Sequence, residues 1–368
     1  MNKIPMMENA CKDLLQYGVF DLRAKCSYLI KKFFLHRKVA GEDLIFWPTA
    51  LLAAGLWHCR GELAAKGTAG ETGASQEEEL MAGTIESALT AYYSRWFKND
   101  MPIVVVDDLL AGETLLNVYL EIQGGSSALF GSLPVPKIRT ALDRLAAFAV
   151  EHPKDGAGSL IYRPVYGEKT VFVDSIGLAC PFLYRYGEIF GKQEYRELAL
   201  RQIVNYLSYG MDSAAGLPYH GYDSSDGCKY GIIGWGRAVG WLLRGMMGCM
   251  SSTYGRERLS ERCIALVDAS LVYQRQDGYF SWQLGALEGP ADTSATGMIC
   301  AALGQGIDSG ILVGENYRNA LQEGRRALEK SVKNGFVYNC SGECEGFSCY
   351  PQRYGTYPWS LGPALEVL

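Results

Sequence analysis

Helical periodicity constrains the fold of this chain more than any other feature of its sequence. Apolar residues recur three and four positions apart over long stretches, whereas the alternation expected of a half-buried strand is almost absent. Segment 193–209 has its apolar residues on one face and Arg, Glu and Gln on the other, as an outer helix would. Segment 234–250 is apolar nearly all round, as expected of a helix that is buried on every side.

Helical segments of these two kinds follow one another along the chain. We count twelve, at approximately 8–36, 44–62, 77–97, 107–123, 137–151, 173–190, 193–209, 234–253, 257–273, 292–306, 315–334 and 357–368. The clearest ones alternate between amphipathic and wholly apolar, with turn signals between them. Six helical hairpins predict an all-α fold, a closed (α/α)6 barrel of inner helices inside outer ones. An open α-solenoid is the alternative, although no crisp sequence repeat supports it.

No linker divides this pattern, so we expect one catalytic domain over residues 1–368. Residues 1–40 are expected to form an N-terminal helical segment of the same domain. The stretch 66–76 (KGTAGETGASQ) is polar and predicts a loop rather than a domain boundary.

The composition excludes several classes of function. A formal net charge of −5 gives no overall field to hold a phosphate backbone, so we expect no nucleic-acid partner. The longest apolar run, 44–59, is too short for a bilayer and contains Pro48, so no membrane association is expected. The first 35 residues have no export signal, and the eleven cysteines indicate buried thiols in a reducing compartment. We therefore predict a cytoplasmic protein, a monomer or homodimer.

The barrel hypothesis predicts where functional side chains meet. Its inner helices run parallel, so their N-termini gather at one rim, each with unpaired N–H groups and a partial positive charge. Such a rim suits an anionic ligand. His220 lies in the loop that leads to one inner helix. The residues at the starts of the predicted inner helices are Asp107, Asp174, Trp235 with Arg237, and Asp292 with Thr293.

Each acidic candidate also has a purely structural explanation. Asp174 opens an apolar helix and could be its N-cap. Asp107 or the adjacent Asp108 could cap the next helix in the same way. Asp292 begins the cluster Asp-Thr-Ser-Ala-Thr-Gly, which suits capping.

Arg237 and His220 leave two interpretations open. Arg237 occupies the first turn of an apolar helix, where a lone cation is costly unless an anion meets it. A substrate carboxylate, or an internal salt bridge to Asp174 or Asp223, would serve equally well. His220 stands in an aromatic loop and suits ligand binding or proton transfer, or is simply a hydrogen-bonded loop residue.

We expect neither a metal nor an organic cofactor. The series Cys340, Cys344 and Cys349 superficially suggests zinc, but it lacks a fourth ligand and the usual spacing. The sequence contains no phosphate-binding loop, dinucleotide fingerprint, Gly-x-Ser-x-Gly elbow or His-Glu-x-x-His motif.

Four motifs in order resemble a known family. They are VDSIGLACPFL at 173–183, PYHGYD at 218–223, WGRAVGW at 235–241 and DTSATG at 292–297, and YGTYPWSLGP at 354–363 also looks family-like. Together they resemble the unsaturated glucuronyl and rhamnogalacturonyl hydrolases of glycoside hydrolase families 88 and 105, over most of the chain from about Leu44 onward. That family has the (α/α)6 barrel.

The resemblance implies an enzyme that hydrates the C4=C5 double bond a polysaccharide lyase leaves on a non-reducing-end uronic acid. Asp174 would protonate C4 and help water attack C5, and Asp107 would assist. The expected substrate is a small acidic oligosaccharide from pectin, namely unsaturated rhamnogalacturonan disaccharide. Arg237 would meet the uronate carboxylate, and Arg163 is available to a second acidic group. The expected substrate-binding residues are His220, Trp235, Arg237, Trp241, Arg163, Tyr219, Asp292 and Thr293.

Two other functions fit the same barrel. A conventional inverting glycosidase would use two of Asp107, Asp174 and Asp292 on saturated glycosides. A carbohydrate-binding barrel without catalysis would bind sugars and turn nothing over. A zinc-dependent α/α-barrel enzyme is the weakest alternative.

Overall fold

The computed structural model describes residues 1–17, 19, 22–34, 44–68, 75–125, 130–164 and 169–368. Its α-helices are α1 (Ile4–Gln16), α2 (Leu22–Leu29), α3 (Trp47–Thr68), α4 (Gln76–Lys98), α5 (Ala111–Gln123), α6 (Val135–Glu151), α7 (Asp174–Ile189), α8 (Gln193–Tyr209), α9 (Gly236–Gly248), α10 (Thr253–Leu271), α11 (Thr293–Asp308), α12 (Glu315–Ser331) and α13 (Pro358–Val367). A π-helical turn follows α2 at Ile30–Phe34, and 3-10 helices occupy Val106–Leu110 and Phe130–Ser132.

Six of the described helices form a closed inner ring. In order, α3, α5, α7, α9, α11 and α13 each pack against the next, and α13 packs against α3 to close the ring. The helices α4, α6, α8, α10 and α12 lie outside it, and α1 packs on α3, α4 and α13. This is the predicted (α/α)6 barrel, and closure of the ring rules out an open solenoid.

Helix periodicity located the helices well, with one main error near the N-terminus. The predicted helix 8–36 is wrong as a single element, because α1 ends at Gln16 and the backbone of Tyr17 is extended, with φ −65° and ψ 133°. Within the expected 1–40 segment, residues 18, 20, 21 and 35–40 lie outside the described residues. The loop predicted over 66–76 begins later than expected, because α3 continues to Thr68. Its residues 69–74 also lie outside the described residues.

Glycines let the inner helices approach closely. A Cβ atom on Gly177 of α7 would lie 2.5 Å from the Trp241 ring of α9, and one on Gly245 of α9 would lie 2.6 Å from Ile176. Both distances are shorter than any real Cβ contact. These two glycines therefore fix the spacing of α7 and α9, which bear most of the candidate site.

Short antiparallel strands, which the sequence patterns did not predict, connect the helices at one rim. Strands β1 (Val171–Phe172), β2 (Gly221–Asp223) and β3 (Cys228–Tyr230) form a three-stranded sheet just before α7 and α9 begin. Strand β4 (Val332–Lys333) pairs with β5 (Phe336–Val337), and β6 (Cys340–Ser341) pairs with β7 (Tyr354–Gly355).

Two expectations from the sequence concern whether a helix could cross a membrane and whether the cysteines are buried thiols. Within the described ranges, no helix combines the length and apolar character needed to cross a membrane. Every cysteine lies in the described part of the chain, where each is a free thiol and seven are buried.

Candidate active site

A pocket opens at the rim where the inner helices begin. Counted with its open mouth, it encloses about 450 Å³. Because each inner helix is joined to the next through one outer helix, all inner N-termini point to this rim. The lining residues are Trp47, Tyr162, Arg163, Phe172, Asp174, Leu178, His220, Trp235, Arg237, Trp241, Glu343, Cys344 and Gly346.

Asp174 faces the pocket as the first residue of α7. The N-cap position belongs to Val173, so Asp174 is not the cap of this helix. Its side chain is 14% exposed, and its Oδ2 atom lies 3.2 Å from Nε2 of His220. No donor among the described residues makes a well-formed hydrogen bond to Oδ2. A carboxylate next to an imidazole can give or accept a proton in the pocket.

His220 is fixed by its backbone and by the rings around it. The N–H of Val173 donates to the His220 carbonyl at 2.9 Å, and the N–H of His220 donates to the Tyr230 carbonyl at 3.1 Å. The imidazole centroid lies 4.4 Å from that of Trp235 and 5.1 Å from that of Phe172. The side chain is 1% exposed, so it has little freedom to rotate.

Asp107 and Asp108 have different surroundings. The Tyr162 hydroxyl donates to Oδ2 of Asp107 at 3.0 Å. Burial, with the charges of Asp107 and Asp174, raises the pKa of Tyr162 well above its usual range, so this phenol stays a donor. The backbone N–H groups of Val104 and Val105 donate to Asp108 at 2.6 and 3.2 Å. Asp107 is thus linked to the pocket through Tyr162, whereas Asp108 holds the backbone before its helix.

Arg237 lies on the pocket wall, but the hydrogen bonds that its guanidinium donates go to other protein groups. Nη1 donates to the carbonyl and hydroxyl oxygens of Ser341 at 3.0 and 2.6 Å and to the Ser294 hydroxyl at 3.2 Å. Nη2 donates to the Gly342 carbonyl at 2.7 Å. Its carboxylate partner is Asp292, at 3.9 Å. The internal salt bridge weighed from the sequence exists, with Asp292 in place of Asp174 or Asp223.

Three expected substrate-binding residues do not line this pocket. Asp292 and Thr293 are fully buried behind Arg237. Asp292 accepts hydrogen bonds from Ser294 and Ser341, and the Thr293 hydroxyl donates to the Tyr338 carbonyl. Tyr219 faces other partners: its hydroxyl donates to Oδ2 of Asp212 at 3.4 Å, and the Lys229 ammonium lies 5.6 Å from its ring centroid.

The remaining expected residues do lie in the pocket. Trp235 and Trp241 are 2% exposed and line its wall, with the Arg237 guanidinium 4.8 Å from the Trp235 ring. Arg163 is exposed in the lining, 5.5 Å from the Tyr162 ring.

The sequence patterns missed several wall residues. Trp47 begins α3 and its ring lies 6.0 Å from that of Trp241, so the rule of inner-helix N-termini would have identified it. Glu343 and Cys344 come from the connection between β6 and β7, where no helix starts. Burial raises the pKa of the Glu343 carboxyl, which lies near Arg237 and Arg163, and raises that of the Cys344 thiol to about 12. Cys344 is therefore no nucleophile at neutral pH.

Over the ranges that the structure covers, no group of three or more His, Cys, Asp or Glu side chains is arranged to hold a metal ion.

Fold and site together define a class: an (α/α)6 barrel whose rim pocket combines a carboxylate, two arginines and flat aromatic rings, a set suited to an anionic sugar. Residues 82–365 match the model of Glycosyl Hydrolase Family 88. The chain therefore belongs to this family and is a glycoside hydrolase.

Individual relatives agree with this assignment. The unsaturated rhamnogalacturonyl hydrolase YesR of Bacillus subtilis is 24% identical over 333 residues, 85% of this chain and 88% of that protein. The crystal structure of a possible member of the GH105 family from Klebsiella pneumoniae matches with a TM-score of 0.76 at 16% identity, covering 98% of this chain and 90% of that one. An unsaturated glucuronyl hydrolase specific for heparin matches with a TM-score of 0.67 at 15% identity, covering 99% and 93%.

Proposed function

We propose that this enzyme removes a 4,5-unsaturated uronic acid from the non-reducing end of lyase-generated oligosaccharides, with unsaturated rhamnogalacturonan disaccharide as its substrate. A proton adds to C4 and the hydroxyl of a water adds to C5, so the double bond is lost and C5 becomes a hemiketal. The bond from C5 to the ring oxygen then opens to give a ketone. The hemiacetal left at C1 releases the neighbouring sugar as an alcohol.

One observation supports this reaction above others: the Asp174 carboxylate and two arginines share a pocket with aromatic walls. The substrate is an anionic vinyl ether, with its carboxylate on C5 and its proton-accepting carbon at C4. It needs an acid close to a cationic group, and flat apolar faces against the sugar ring. Asp174 supplies the acid, and Arg163 and Arg237 supply the cations.

The two arginines divide this work. The hydrogen bonds of Arg237 go to Ser341, Gly342 and Ser294, so it contributes a fixed positive charge on the wall. Arg163 is exposed at the pocket and is the better candidate for a direct, bidentate hydrogen-bonded contact with a substrate carboxylate. Asp107 acts through Tyr162, whose hydroxyl donates a hydrogen bond to it.

A conventional inverting glycosidase remains the alternative to be tested. Asp292 is a poor candidate for its second carboxylate, because it is fully buried and paired with Arg237. Asp107 and Glu343 are the other carboxylates near Asp174. The name of the YesR relative, an unsaturated rhamnogalacturonyl hydrolase, favours hydration.

The test follows the ultraviolet absorbance of the conjugated uronate when purified enzyme meets unsaturated rhamnogalacturonan disaccharide. Wild type should remove the absorbance, and Asp174→Asn should slow this by about 10²–10⁴-fold, which is the range that general acids contribute. Asp308→Asn, an exposed carboxylate at the last residue of α11, is the matched control and should act like wild type. Persistent absorbance on this disaccharide and on unsaturated glucuronyl and galacturonyl oligosaccharides, with release of saturated sugars instead, would overturn the proposal.

A further inference from the structure

Tyr350 approaches the active site from the connection between β6 and β7. Its hydroxyl oxygen lies 2.8 Å from Nδ1 of His220, whose Nε2 lies 3.2 Å from Oδ2 of Asp174. The three side chains therefore form a continuous line from the β6–β7 connection to the carboxylate. Neither the sequence motifs nor the proposed reaction assigns a role to Tyr350.

The direction of the first hydrogen bond can be worked out from the neighbours of the phenol. The backbone N–H of Ile232 donates to the Tyr350 hydroxyl at 3.4 Å, so this oxygen already accepts one hydrogen bond. Burial raises the pKa of Tyr350 above its usual range, so the phenol keeps its proton. The hydroxyl therefore donates a hydrogen bond to Nδ1 of His220, which accepts it through its lone pair.

The second contact points to the same tautomer. If Nδ1 carried the ring proton of a neutral His220, the lone pair of Nε2 would face the Asp174 carboxylate at 3.2 Å, which is repulsive. With the proton on Nε2, both contacts are attractive. The ring cannot escape by turning, because Trp235 lies 4.4 Å away and Phe347 5.2 Å away, centroid to centroid.

The backbone is built to permit this close approach. Gly231, with φ +80°, lies against both partners, and a Cβ atom there would be 2.5 Å from the Tyr350 hydroxyl and 2.6 Å from Cβ of His220. Only glycine is compatible with both the dihedral angle and the space. The Tyr350–His220 contact is thus built into the fold of the loop that follows β3.

We propose that Tyr350 is a positioning residue that holds His220 as its Nε2–H tautomer, so that the ring N–H rather than a lone pair lies 3.2 Å from Oδ2 of Asp174. The attraction between this N–H and Oδ2 orients the carboxyl group and leaves Oδ1 for the proton that goes to the substrate. The effect on turnover rests on the proposed function, whereas the tautomer of His220 does not.

Nitrogen-15 NMR of the ring nitrogens tests the tautomer without any substrate. The chain has four histidines, so the His220 signals can be assigned by their loss in His220→Asn. In wild type, Nε2 should be protonated and Nδ1 should not. In Tyr350→Phe, which keeps the ring and removes the hydroxyl, the His220 signals should shift toward a mixture of tautomers. Tyr354→Phe, whose hydroxyl bonds Gln352 at 2.9 Å, should leave them unchanged.

Kinetics supply the second readout. Tyr350→Phe should lower kcat on the order of ten-fold and leave KM within about two-fold, because an orienting contact is lost and the sugar contacts remain. A wild-type His220 protonated on Nδ1 alone or on both nitrogens would overturn the inference, as would Tyr350→Phe spectra identical to wild type. If wild type turns over no unsaturated substrate, the proposed function fails, and the spectra still decide the role of Tyr350.

Discussion

The Asp292 carboxylate lies 3.9 Å from the guanidinium of Arg237, with Asp292 fully buried and Arg237 3% exposed on the pocket wall. Asp292 thus partly offsets the charge of a cation that is nearly inaccessible to water. Removing one partner of a buried pair leaves the other uncompensated, at a cost on the order of 3 kcal/mol. We expect Asp292→Asn to lower the free energy of unfolding by about this amount and to lower activity because Arg237 loses its position.

Thermal unfolding and steady-state kinetics of Asp292→Asn, measured together, check this expectation. Asp308→Asn, an exposed carboxylate, should change neither quantity. If Asp292 were instead one of the two carboxylates of an inverting glycosidase, its removal would abolish kcat and leave the unfolding transition in place.

Asp107 and Asp108 should give opposite results when each is changed to asparagine. Asp107→Asn removes a charge linked to the pocket through Tyr162, so kcat should fall about 10²-fold with little change in stability. Asp108→Asn weakens the hydrogen bonds from Val104 and Val105, so stability should fall by about 1 kcal/mol with kcat nearly unchanged. Initial rates and denaturant unfolding of both variants provide the measurement. The reverse pattern would make Asp108 the second carboxylate of the site.

Glu343 makes stability depend on pH. Burial raises the pKa of its carboxyl above 4.5, so folding favours the protonated form. Its contribution to stability is complete below pH 4.5 and is lost as pH rises through the raised pKa. We therefore expect Glu343→Gln to be more stable than wild type at pH 7, by less than about 1 kcal/mol because the side chain is exposed and water screens its charge, and equal to it at pH 4. Unfolding in denaturant at the two pH values measures this difference.

The same variant separates the proposed reaction from a conventional glycosidase. Hydration requires no second carboxylate at the position of Glu343, so Glu343→Gln should retain turnover of the unsaturated disaccharide within a few-fold. Loss of kcat by several orders of magnitude would identify Glu343 as the partner of Asp174 in a two-carboxylate mechanism.

Helix periodicity predicted the barrel because burial repeats regularly along each helix. Helix α8 has the predicted bounds, 193–209. The rule that inner-helix N-termini share a rim placed Asp174, Trp235 and Arg237 on one pocket correctly. These placements depend only on the order and direction of the helices.

Side-chain direction and irregular connections were harder to predict. Asp292 also stands at an inner N-terminus, but the β6–β7 pair covers it and turns it toward Arg237. Tyr219 turns instead toward Asp212 and Lys229. Glu343 and Tyr350 belong to a connection whose path depends on tertiary contacts about 100 residues distant, such as that from Arg237 to Ser341. No local pattern encodes such a path.

Gly177 couples the spacing of two inner helices to the shape of the pocket. It lies three residues after Asp174, and a Cβ atom there would sit 2.5 Å from the Trp241 ring and 2.7 Å from the Trp241 carbonyl oxygen. Gly177→Ala must push α7 from α9, so we expect a loss of about 1–3 kcal/mol in stability and a marked fall in activity. Gly83→Ala is the matched control, because Gly83 lies inside α4 with open space around it. That change should stabilise the protein by roughly 0.5–1 kcal/mol through helix propensity alone and leave kcat unaltered. Equal unfolding free energies for the two variants would show that α7 and α9 are not held at the distance that Gly177 sets.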